Sequence, residues 1–208
     1  MKKIFNDYMN DKLKLDNKLM LGIACLVVFF SGLFGFIYEV IFYYFDQGMK
    51  YVYWRGGNFL PWINIYAIGA VLILIICHKF KKKPLKVFLL SILITGLLEL
   101  GSGFVIDKVF GLRFWDYNVE ILNFGNIGGY ICLRSVGFFA FSSLFLVYGM
   151  VPGCIYLAKK IPRKVFLVIS YTIGILVFVD EIYNLIFTKA FNLPSAGHIY
   201  KSFGIRFM

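Results

Sequence analysis

Apolar residues run along this chain in five long stretches, broken by short polar segments. The stretches lie at about Leu19–Phe45, Trp62–His78, Leu85–Ile106, Ile131–Leu157 and Val165–Phe187. Each approaches the ~20 residues a helix needs to cross a bilayer. The pattern predicts an all-α integral membrane protein, a bundle of five transmembrane helices. The glycine-rich stretch Asn123–Tyr130 is a candidate sixth element that folds back toward the membrane. Residues 1–18 then form a basic cytoplasmic segment, 19–187 a polytopic domain, and 188–208 a short external tail of no evident role. The first apolar run is too long for a signal peptide and no small-residue cleavage site follows it, so a retained signal anchor is expected.

Within the apolar stretches, small and polar residues keep a helical spacing. Ser31, Gly35 and Glu39 share one face of the first; Ser91, Thr95, Glu99 and then Ser102 or Gly103 share one of the third. Ser170, Gly174, Glu181, Asn184 and Thr188 mark the fifth, and Asp180 stands about 100° off that stripe. Small residues let helices approach closely, which turns the polar member of each stripe inward. An acid at membrane depth costs at least a few kcal/mol, so it is expected to face a partner, a wet cavity or an ion path.

Composition agrees with this class. Of 208 residues, 60% are hydrophobic and 16% charged, with a mean hydropathy of +0.78. The net charge of +11 does not indicate nucleic acid, because the cations sit in loops rather than on a soluble basic face. The N-terminus and the second and fourth loops hold fourteen Lys and Arg, and the remaining segments seven. That bias predicts the N-terminus inside and the C-terminus outside. In this topology Glu39 stands ~9 Å above the middle of its span, Glu99 ~5 Å, and Asp180 and Glu181 ~6–8 Å. Arg134 lies near the outer mouth of its own span, and Asn64 and Tyr66 fall in the outer half of theirs.

The candidate substrate or ion cavity is therefore Glu39, Glu99, Asp116, Arg134, Asp180 and Glu181, supported by Asn64, Tyr66, Trp115, Tyr117 and Asn184. Trp115 and Tyr117 also suit an interfacial aromatic belt. Asp116 between them caps a short helix, pairs with Arg113 or Arg134, or contacts a ligand at the mouth. The loop Trp54–Trp62, rich in glycine and aromatics, is a candidate lid. No P-loop precedes a Gly-Lys-Ser/Thr, so the chain does not hydrolyse ATP by that route. His78 and His198 are isolated and the four cysteines are single, so neither a metal nor another cofactor is expected. Gly149 and Gly153 match a helix-packing spacing that Pro152 interrupts.

Tyr38-Glu39, Asn64–Ala70, Leu98-Glu99, Trp115-Asp116-Tyr117 and Gly129–Leu133 follow one another in an order that resembles the bacterial ABC-transporter type IV (CmpB-like) membrane proteins. The resemblance covers roughly residues 20–185. The chain departs from the pattern where Asn64–Ala67 replaces Pro-Ile-Tyr-Gly, where Tyr130 replaces an arginine, and where Phe139-Ala140 replaces Trp-Gly. Arg134 is expected to supply the cation that position 130 lacks. The resemblance implies a permease-like, multi-pass protein of the bacterial plasma membrane. Separate ATPase subunits would dock at Lys79–Lys86 or Lys159–Lys164; lipids and further copies of the chain are the other expected partners. Two readings stand beside it. One is an integral-membrane enzyme acting on a lipid or isoprenoid, with Glu39, Glu99 and Asp116 as acid and base; the weight is against catalysis. The other is a structural or regulatory membrane partner whose buried charges fix helix register.

Overall fold

The computed structural model describes residues 1–207, and Met208, the end of the predicted tail, lies outside them. The described residues are helical apart from loops and one pair of two-residue strands. The helices are α1 (Lys2–Met9), α2 (Asn17–Asp46), α3 (Asn64–Cys77), α4 (Pro84–Phe110), α5 (Leu133–Phe145), α6 (Val151–Lys160), α7 (Arg163–Ile182), α8 (Thr188–Ala190) and α9 (Ala196–Ser202). A π-helical turn, Leu146–Met150, joins α5 to α6, and another, Tyr183–Phe187, extends α7.

Among the described residues, four helices are long and apolar enough to cross a membrane: Asn17–Asp46, Pro84–Phe110, Leu133–Lys160 and Arg163–Phe187. The second predicted span takes the form of a shorter apolar helix, Asn64–Phe80, whose last turn tightens to a 3₁₀ helix. The proposed sixth element is not helical. Residues 123–130 form tight turns, with Gly125, Gly128 and Gly129 at positive φ and a bridge between Ile127 and Ile131. Glycines in that conformation break a helix rather than extend one.

Local signals set the ends. The Asp16 carboxylate accepts from the amides of Lys18 and Leu19, both at 3.0 Å, and caps α2. The Leu19 amide first, then Arg163 at 3.2 Å, hold this carboxyl below its ordinary range. Pro84 opens α4 and Gly111, at φ 64°, closes it in the left-handed conformation. Pro152 has no N–H for the carbonyl four residues back, and the wide turn ahead of it takes up the mismatch.

The chain divides into two compact units, Met1–Ala70 with Met150 onward, and Val71–Gly149. In the first, α2 packs on α7 through small residues: a side chain on Gly22 would strike Phe166 and Ser170, and one on Gly174 would strike Cys25. Gly32 and Gly35 receive the rings of Trp62 and Tyr66 in the same way. Gly35→Ala should force Tyr66 out of its seat and cost about 1–3 kcal/mol, a melting-temperature loss on the order of 5 °C in detergent. Gly101→Ala, whose new methyl meets open space, should leave the midpoint unchanged or higher. Equal behaviour of the two variants would refute this packing.

In the second unit α4 packs on α5, with Gly96 against Ile131 and Val136 and the Phe88 and Phe141 rings 5.1 Å apart. The polarity of α4 is inverted relative to a soluble helix. Leu85, Leu89, Leu93 and Leu97 are exposed along one face, while Ser91, Thr95 and Glu99 are buried on the opposite one. Ser91 and Thr95 satisfy their hydroxyls on the carbonyls of Val87 and Ser91.

The C-terminal segment, which the sequence leaves without a role, covers the first loop. Strand Arg206–Phe207 pairs antiparallel with Val52–Tyr53, and Trp54 lies against Phe36, Tyr200 and Phe207. Ala196 donates to the Gly57 carbonyl and Tyr200 to that of Phe59.

Candidate functional site

The candidate residues fall into two networks, one in each unit. In the second unit, Glu99 is 2% exposed on the inner face of α4. It accepts from the Tyr117 hydroxyl at 2.5 Å and from the Ser135 hydroxyl at 2.7 Å. Ser135 stands in the first turn of α5, where its oxygen also receives the Cys132 amide in a reciprocal cap. Burial first, then the adjacent Glu99, pushes the Tyr117 hydroxyl above the ordinary phenol range, so Tyr117 remains the donor.

Arg134, expected to supply the cation that position 130 lacks, pairs with Glu120 at 2.5 Å, with side-chain exposures of 13% and 5%. Its guanidinium lies 5.3 Å from the centre of the Tyr117 ring, so this ring links the ion pair to Glu99. Asp116 caps the 3₁₀ turn Tyr117–Val119 and pairs with Arg113 at 3.1 Å, two of the roles open to it from sequence. Arg113 also donates to the Gly128 carbonyl, and Trp115 to that of Tyr130. Asp116 and Trp115 thus fold the loop that delivers Tyr117 and Glu120 to the interior.

The network of the first unit centres on the loop Trp54–Trp62. Asp180, 7% exposed, accepts the amide of Phe59 on one carboxylate oxygen and that of Leu60 on the other, both at 2.8 Å. Helical geometry had set Asp180 aside from the stripe of Glu181; instead both acids serve one loop, because that loop wraps across both directions. Glu181 accepts from the side-chain amides of Asn58 and Asn64, each at 3.0 Å, and Asn184 donates to Asn58 at 3.1 Å. Gly57 leaves the space that Asn184 fills.

Glu39 completes this unit. It accepts from Arg55 Nε at 3.1 Å and from the Tyr66 hydroxyl at 3.4 Å. The Arg55 guanidinium lies face-on to Tyr43, 3.6 Å from the ring centre. Side-chain exposures of 29% for Arg55 and 19% for Glu39 leave this pair open to water, unlike Arg134–Glu120.

Sequence reasoning missed Glu120, Ser135, Asn58, Arg55 and Tyr43. Tyr43 lies one helical turn beyond Glu39, a spacing that points to it; Glu120 and Asn58 stand in loops, where no periodicity marks them. All four cysteines are free thiols, and among the described residues no three His, Cys, Asp or Glu side chains form a group able to hold a metal.

A family model described as "Putative ABC-transporter type IV" matches residues 7–185. No curated protein and no solved structure matches the chain. A match over that much of 208 residues means that the chain belongs to this ABC-transporter type IV family, the one its residue pattern resembles.

Proposed function

We propose that the protein is the permease-like membrane subunit of a transporter. It lies in the bacterial plasma membrane with its N-terminus inside and its C-terminus outside, and Asn64–Phe80 serves as a fifth, short span. Separate ATPase subunits supply the energy by docking on the cytoplasmic segments Lys79–Lys86 and Lys159–Lys164. The observation that carries this reading is the inverted polarity of α4, with leucines outward and Ser91, Thr95 and Glu99 inward. A bilayer rewards that arrangement and water does not. The family supplies the second support, since its description names a transporter.

A structural or regulatory role has an observation of its own. Glu39, Glu99, Asp180 and Glu181 each accept hydrogen bonds from donors within the chain. Such saturated acids fix loops and helix register without any ligand.

Purification from native membranes in mild detergent, followed by mass spectrometry of proteins and small molecules together, separates the two readings. The transporter reading expects an ATPase subunit in stoichiometric amount. Recovery of the chain with bulk lipid alone would overturn the ATP-driven reading and leave the structural one.

A further inference from the structure

We propose that Glu39, Tyr43 and Tyr66 form a seat for an organic cation of the guanidinium or quaternary ammonium class, and that Arg55 is its tethered occupant. The proposal names a substrate class for the transporter reading and rests on that reading for the transport role; the binding site stands on geometry alone.

The walls of the seat belong to helices. Glu39 and Tyr43 are one turn apart on α2, and Tyr66 projects from the first turn of α3. Gly35, one turn before Glu39, allows the Tyr66 ring to lie directly on α2, which brings its hydroxyl to the carboxylate. The occupant belongs to a loop. Arg55 is followed by Gly56, at φ 74°, and Gly57, so its side chain can leave while α2 and α3 keep their positions.

The seat offers one full negative charge and a π face, with the guanidinium 3.6 Å from the Tyr43 centre and 3.1 Å from Glu39 Oε2. A planar or quaternary cation with a weak hydration shell gains from both. A small, strongly hydrated cation must shed part of its water shell to reach the ring face, so it gains less from the seat than a weakly hydrated one does. Water reaches both ends of the pair, so a diffusing cation can compete for the carboxylate. Exchanging one monovalent cation for another leaves Glu39 neutralised throughout, which avoids the penalty of a stranded buried charge.

Thermal unfolding of the purified full-length protein in detergent tests the seat. Millimolar methylguanidinium and tetramethylammonium chlorides are the probes, with sodium chloride of equal ionic strength as reference. In Arg55→Ala the probes should raise the midpoint by about 3 °C or more relative to sodium. The wild-type protein, whose own arginine competes, should respond less, and Arg55→Ala combined with Glu39→Gln should not respond. A response in Arg55→Ala no larger than that to sodium, or an equal response without Glu39, would overturn the proposal. If Arg55→Ala does not fold, the wild-type protein gives the answer through tryptic cleavage after Arg55. Tetramethylammonium should accelerate that cut severalfold over sodium, and an unchanged rate rejects the seat. Neither assay needs an ATPase or turnover. An empty seat therefore leaves the transporter proposal intact, and an absent ATPase leaves the seat intact.

Discussion

Asp180→Ala is expected to release the loop Trp54–Trp62 and to cost about 2–4 kcal/mol of stability. Its carboxylate holds two consecutive backbone amides, at 2.8 Å each, from a position only 7% exposed. Removing it strands both donors at once, and each unsatisfied donor costs about 1–3 kcal/mol, less where water reaches it. Phe59 is exposed and Leu60 half-buried, which sets the expected total below the sum of two full penalties. Asp180→Asn should fare little better, because its amide nitrogen would face a backbone N–H as a second donor. Glu181→Gln should be milder, since the Gln oxygen can still accept from Asn58 or Asn64. Hydrogen exchange at Phe59 and Leu60, followed with the unfolding midpoint, reads this directly. Unchanged exchange at both amides in Asp180→Ala would remove Asp180 from its role as the loop's anchor.

Arg134→Ala should cost about 3–5 kcal/mol, since it leaves Glu120 buried without its cation. Replacing both partners together, Arg134→Met with Glu120→Leu, should recover most of that loss, because neither charge is then stranded. A double-mutant cycle should return a coupling of at least ~2 kcal/mol. The exposed pair Arg163–Asp16 sets the contrast: water screens it, and its coupling should stay below about 1 kcal/mol. If Arg134 and Glu120 proved additive, the dry pair would be no more than a surface contact. The prediction matters for the candidate site because Tyr117 lies between this ion pair and Glu99. Loss of the pair should therefore loosen the hydrogen bond that the loop makes to the centre of α4.

The candidate site was only partly legible before the fold was known. Ser31 and Gly35, and likewise Ser91, Thr95 and Glu99, are buried as their spacing predicts, whereas Glu39 keeps 19% of its side chain exposed, and the glycines admit large rings as small residues should. Their partners were not legible. Arg134 forms its 2.5 Å ion pair with Glu120, a loop acid that carries no periodic signal. Asp180 was read as off the polar stripe because helical projection treats each side chain as facing one neighbour. A wrapping loop offers acceptors and donors in more than one direction, and two amides found Asp180. The glycine-rich stretch 123–130 consists of tight turns with three glycines at positive φ, and its Gly129 carbonyl accepts the Tyr117 amide at 3.0 Å.

Sequence alone marked this protein as helical and membrane-class, placed four long apolar helices to within a few residues while giving the shorter Asn64–Phe80 equal standing as a span, and picked out the small and polar residues that α2 and α4 bury. Those features depend on residues within a turn or two of each other, through period, propensity and capping. The tertiary structure alone decided which donor each acid takes, that the C-terminal segment lies over the first loop, and that one charge pair is dry while another is wet. Partners such as Asp180 and Phe59 stand 121 positions apart in the chain. Their meeting depends on how closely glycine-lined helices pack and on the path of loops between them, which no local pattern encodes.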